Sequence, residues 1–164
     1  QDAGTVNGSI RLGANVSAND IESVNGTIHI AENVVIDGEV SVVNGKINIG
    51  TGSRVARDVS NVNGEMMLRG AEISGDMSTV NGDVTLTDNT VLHGRLTVER
   101  PRGWNWGPGN SRKPRVIIGP GSQVNGGIRL EREVELYISD SAVVAEVSGE
   151  MTLADAVRFS GARP

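Results

Sequence analysis

Apolar and polar positions alternate in short bursts along this chain, and the bursts recur in phase. Ile10, Ile28, Ile47, Met66 and Val84 each stand two places before Leu12, Ile30, Ile49, Leu68 and Leu86. Between them lie Arg11, His29, Asn48, Met67 and Thr85, which are mostly polar. A period of two with one apolar side predicts a short β-strand, and the spacing does not suit a helix. A second apolar cluster, Val16, Val34, Val55, Ile73 and Val91, follows in each unit. A third follows that: Ile21, Val40, Val59, Met77 and Leu96. Gly38, Gly75 and Gly94 come just before the third cluster and predict a bend. One unit therefore reads as three strand pieces separated by turns.

Each unit opens on the same three letters. They are Val6-Asn7-Gly8, Val24-Asn25-Gly26, Val43-Asn44-Gly45, Val62-Asn63-Gly64 and Val80-Asn81-Gly82, at steps of 18, 19, 19 and 18 residues. Asn and Gly both tolerate positive φ, so the pair turns the chain tightly at low cost. It is also the strongest short hairpin signal, which makes an antiparallel meander the alternative. Hairpins would not restart every unit in the same phase, whereas units that stack on one another would. The expected fold is all-β: a single-stranded parallel β-helix, or β-solenoid, of about seven to eight coils of 18–19 residues. It forms one domain over 1–164, right-handed by the general preference of parallel crossovers. With coils about 4.8 Å apart, the rod is about 35 Å long. An Asn at one corner of every coil can pass side-chain hydrogen bonds along the stack.

The pattern breaks once. Val98 reads as the next unit start, but "ERPRGWNWGPGNSRKPR" at 99–115 stands where Asn-Gly is due. The coil then resumes, since "INIGTGSRVARDV" at 47–59 aligns with "VIIGPGSQVNGGI" at 116–128. Later unit starts fall at Leu130 and Val147, and Val157 and Phe159 close a partial coil. The insertion carries Trp104 and Trp106 together with Arg100, Arg102, Arg112, Lys113 and Arg115, against one acid, Glu99. One reading folds the indoles back on the flank as a lid. The other makes the loop a contact surface for an anionic or sugar-like partner, or for another copy of the protein. Phe159 near the carboxyl end is expected to cover the last layer, leaving the amino end for another segment or subunit to cover.

Composition changes the picture in a few places. Aromatics are 2% of residues, so Val, Ile, Leu and Met must fill the interior, which suits a thin repeated cross-section. There is no cysteine, hence no disulfide and no thiolate metal site. A net charge of −5 argues against nucleic acid as the main partner. No apolar run is long enough to span a membrane. The chain opens Gln1-Asp2-Ala3 in place of Met; a removed leader would explain that, as would an artificial start.

No catalytic site is expected, nor a cofactor or metal. His29 and His93 occupy different places in the repeat, and His29 between Ile28 and Ile30 reads as an outward strand residue. Asp37, Glu39, Asp58, Asp76, Asp83 and Asp88 could approach one another on neighbouring coils, but solvated surface charge is the simpler reading.

The recurring Val-Asn-Gly-x-Ile/Val-x-Leu at 6–12, 24–30, 43–49, 62–68 and 80–86 resembles the adhesin-type β-helix domains of bacterial envelope proteins. "VIIGPGSQVNGGIRL" at 116–130 and "AVRFSG" at 156–161 resemble steps of the bactofilins, which polymerise end to end without nucleotide, often close to the membrane. Neither family supplies a catalytic residue to carry over. The first resemblance implies a non-enzymatic structural or adhesin-like module of the cell envelope, acting through its flank and the tryptophan loop. The second implies a filament subunit, and a carbohydrate-binding or carbohydrate-active β-helix is the third expectation. Partners would be the protein itself, end to end or side by side, an envelope protein or a glycan. The expected location is periplasmic or at the cell surface, with a cytoplasmic membrane-associated site as the alternative.

Overall fold

The computed structural model describes residues 1–101 and 112–164. Successive units lie directly over one another. Ile10, Ile28, Ile47, Met66, Val84, Val116 and Leu136 form one continuous row of paired positions, and Leu12 to Ile138 form a second two residues on. Each coil gives one strand to each of three faces, as Val40–Asn44, Ile47–Ile49 and Arg54–Val55 do in the third. The result is three parallel sheets of eight, eight and seven strands wrapped around one narrow interior, a parallel β-solenoid of about eight turns. Alternation puts Ile28, Ile30, Ile47, Ile49, Met66 and Leu68 inside, all essentially inaccessible to water. A unit alone could bury none of this; the neighbour's identical layer closes it on both sides.

The corners explain which residues the repeat needs. At the corner between the first and second faces, Gly26, Gly45 and Gly64 have φ of +151°, +154° and +127°. A Cβ on any of them would overlap the carbonyl oxygen of the glycine one coil earlier. At the next corner, Asn15, Asn33, Gly52, Gly70, Asn89 and Gly121 occupy one stacked position and all are left-handed. Asn and Gly complement each other there: the Asn33 and Asn89 amides fill the space that a side chain on Gly52 or Gly121 would need. At the third corner, Gly38, Gly75 and Gly94 do not need positive φ at all. They make room for the carboxylates of Asp20, Asp58 and Asp76. Those carboxylates accept the backbone N–H groups of Glu39, Asp76 and Arg95 one coil up, at 3.0, 2.8 and 2.8 Å.

The register corrects three sequence expectations. The second apolar cluster is not one row. Val16 and Val34 share a row with Ser53, Ala71, Thr90 and Ser122, whereas Val55 and Ile73 belong two residues on, with Ala18, Ile36, Leu92 and Val124. In the first of these rows the hydroxyls of Ser53 and Thr90 replace apolar groups because they bridge coils, whereas the buried Ser122 Oγ has no partner. Ser53 Oγ accepts from Val34 N at 3.0 Å and donates to the Ala31 carbonyl at 2.7 Å. Second, Val98 is not a unit start. It pairs with Thr79 and Leu130, in the inward row that holds Ser23, Val42 and Asn61, one residue ahead of the triplet valines. Val147 pairs with Ile128 and belongs to the third cluster. Third, Phe159 pairs with Ser139 on the second face and remains half-exposed, while Met151 and Ala156 pack against the end of the core. Across the insertion the coil continues without a register change, with Val84 on Val116 and Leu96 on Ile128.

Candidate functional site

The corner between the first and second faces carries both the repeated triplet and the insertion. Its asparagines form a one-way ladder. Nδ2 of Asn25, Asn44, Asn63 and Asn81 each donates to Oδ1 of the asparagine one coil earlier, at 3.0, 3.1, 2.8 and 2.9 Å. The last Oδ1, on Asn81, accepts from Arg132 Nη1 at 2.9 Å, and the same nitrogen reaches the Val80 carbonyl at 3.1 Å. Partial burial pushes the Arg132 guanidinium below its ordinary pKa. Sequence reasoning missed Arg132; it lies some fifty residues from the amide it closes, and only the stacking brings the two together.

The insertion leaves the first face after Leu96–Val98 and re-enters the second at Arg115–Ile118. Of its singled-out residues, Arg102, Trp104 and Trp106 lie outside the described residues. The other four are tied to acids of the solenoid. Arg100 donates its backbone N–H to Glu131 Oε2 at 3.2 Å, its Nε to the Glu131 carbonyl at 3.3 Å and Nη2 to Glu150 at 3.3 Å. Arg112 Nη2 donates to Asp83 Oδ2 at 2.8 Å, and that bond with the Asp83 charge raises its pKa further. Lys113 pairs with Glu133 at 2.9 Å. Arg115 donates its N–H to Asp83 Oδ1 at 2.9 Å and Nε to Glu135 at 3.1 Å, with its guanidinium 5.7 Å from the Tyr137 ring. The two stems of the insertion are thereby stapled to neighbouring coils. The signal in the sequence was the run Glu131-Arg132-Glu133-Val134-Glu135, whose acids match the insertion's bases.

Of the carboxylates noted in the sequence, Glu39, Asp58 and Asp76 do stack, holding one position on consecutive coils with Asp20 one coil earlier, whereas Asp37, Asp83 and Asp88 lie in other rows. Asp58 and Asp76 are not simply solvated charge, since both receive backbone N–H groups, and Asp83 holds the insertion. His29 points outward from the second face, over a shallow trough it shares with Asn48, Met67 and Arg69. His93 lies elsewhere and meets Glu72 at 2.9 Å. Among the described residues no group of three or more His, Cys, Asp or Glu side chains is placed to hold a metal ion, and no helix is long and apolar enough to cross a membrane.

No family model, no curated protein and no solved structure matches the chain. The class is therefore defined by the fold alone, a parallel β-solenoid with one corner insertion.

Proposed function

We propose that the protein is a non-catalytic structural module of the bacterial cell envelope, adhesin-like in action. In this reading it is a stiff rod that carries a basic, tryptophan-containing insertion on its flank. The observation that supports it is how the polar side chains are spent. The ladder asparagines, the stacked aspartates and the described bases of the insertion all bond to an adjacent coil or to the stems, so the polar chemistry stiffens the rod. The test is cosedimentation of the full chain with isolated cell walls and with outer-membrane vesicles, beside the double variant Trp104→Ala, Trp106→Ala. Retention that falls several-fold in the variant is expected. Sugar released from the walls by the wild type, or equal retention of both chains, would overturn the reading.

A second reading, stacking of subunits through the ends of the solenoid, draws on one observation. The inward rows stop on residues that lack a neighbour on one side, Ile10 and Leu12 in the first coil and Val147 in the last, and these are only partly buried, whereas Ile28, Ile30 and Ile128 beside them are fully buried. Electron microscopy of the purified chain decides it: filaments support end stacking, and isolated particles at every concentration refute it.

A further inference from the structure

The outer side of the first face has a pattern that its sequence order conceals. The outward position in the middle of the strand runs, coil after coil, through Glu22, Ser41, Ser60, Ser78, Thr97 and Arg129. Four small hydroxyl residues thus separate one acid from one base. The midpoint falls between Ser60 and Ser78, and the row reads as complementary from either end. Glu22 has no ion pair among the described residues, and Arg129 has only a loose approach to Glu131 at 3.8 Å. Along the same face the triplet valines add an uncharged ridge, with Val43 43% and Val62 39% exposed, and past Val80 the row continues as Glu99 and Glu131.

We infer that this face is a self-complementary docking surface for a second copy of the chain, related by a two-fold axis that runs along the strands between the fourth and fifth coils. That axis sets the two rods antiparallel and face to face. Glu22 then opposes the second copy's Arg129, and the reciprocal pair forms about 24 Å away, five coil spacings along the rod. Ser60 meets Ser78 and Val62 meets Val80 at the centre, where small side chains let the sheets approach to about 10 Å. Val43 then faces Glu99 at the stem of the insertion, and Val24 faces Glu131, whose carboxylate already accepts the Arg100 N–H. A two-fold along the rod axis is disfavoured, because it would set Glu22 against Glu22 and Arg129 against Arg129. Eight strands about 15 Å wide present about 500 Å² per copy, about 1,000 Å² in all, near the lower bound for a specific interface. The dimer is accordingly modest in affinity and dependent on concentration. It does not depend on the scaffold role proposed above.

Sedimentation velocity over a wide range of protein concentration tests this with the whole chain. Wild type is expected to pass from monomer to dimer and stop there. Glu22→Arg and Arg129→Glu each place like charges in both reciprocal pairs and should weaken the dimer at least tenfold. The double variant exchanges the charges and should recover to within a few-fold of wild type. Both positions point outward from the sheet, and far-UV circular dichroism checks that all three variants fold. A wild-type monomer throughout, single variants with unchanged association, or a folded double variant that fails to recover would each overturn the inference. Polymers that grow without limit and ignore both substitutions would also overturn it, and would point to the ends of the rod.

Discussion

Ser23, Asn61 and Ser122 each bury polar side-chain atoms without a partner, and replacing Asn61, which buries two, is the sharpest test of the packing described above. The Asn61 side chain enters the interior at 4% exposure, and neither Nδ2 nor Oδ1 finds a hydrogen-bond partner. The same inward position is Val42 one coil earlier, and Thr79 and then Val98 in the next two coils. Valine therefore already fits the space twice in this rod. An amide buried without partners costs about 1–3 kcal/mol in proteins. Burying a valine side chain in its place adds at least about 1 kcal/mol of apolar transfer. Asn61→Val should therefore stabilise the fold by about 2–4 kcal/mol, a rise in Tm of about 4–16 °C for a chain of this length. Urea unfolding followed by far-UV circular dichroism is the assay, with a shifted midpoint and an unchanged slope as the expected form. Val42→Asn is the mirror experiment and should lose a similar amount. If Asn61→Val is neutral or destabilising, the amide is paired after all and the account of this row is wrong.

The stacked glycines give a second contrast. Gly45→Ala, whose Cβ would overlap the Gly26 carbonyl, should cost more than about 3 kcal/mol, while Gly4→Ala, with open space around it, should stay within about 0.5 kcal/mol. Thermal melts of the two variants check this, and a well-folded Gly45→Ala protein would refute the strict stacking of that corner. Asn44→Ala removes two ladder bonds, to Asn25 and from Asn63, and should cost about 1–3 kcal/mol in chemical unfolding. Asp83→Ala removes the acceptor shared by Arg112 and the Arg115 N–H. Because Arg112 is largely exposed, its ion pair with Asp83 contributes little to global stability, within about 1 kcal/mol. Trypsin cleavage after Arg112 should nevertheless quicken several-fold, and an unchanged rate would show that Asp83 does not hold the stem.

The sequence and the structure part company at instructive places. Ile28 over Ile47 was readable because strand alternation and a fixed step together leave one way to bury both. The unit boundary at Val98 was misplaced by one residue for a physical reason. The valine that catches the eye in each triplet is the outward one, whereas the inward row beside it reads Ser23, Val42, Asn61, Thr79 and Val98, with Val42 its one apolar member before Val98. Gly38, Gly75 and Gly94 were recognised as corner residues, but their role as space for an aspartate depends on the coil beneath. The bases of the insertion were visible as a cluster. Their partners were not, since Glu131, Glu133, Glu135 and Asp83 lie 20 to 32 residues away in the pairs formed with Arg100, Lys113, Arg112 and Arg115. Long-range pairing of charges is what one-dimensional reading lacks.

The uniform direction of the asparagine ladder has an electrical consequence. Amide groups bonded head to tail in one sense add their dipoles, as peptide units do along a helix. One edge of the rod is therefore polarised, with its oxygen pole at Asn81, and Arg132 sets a permanent cation on that pole. Lengthening the column by whole coils at its other end would strengthen the polarity without disturbing the terminus that the arginine holds.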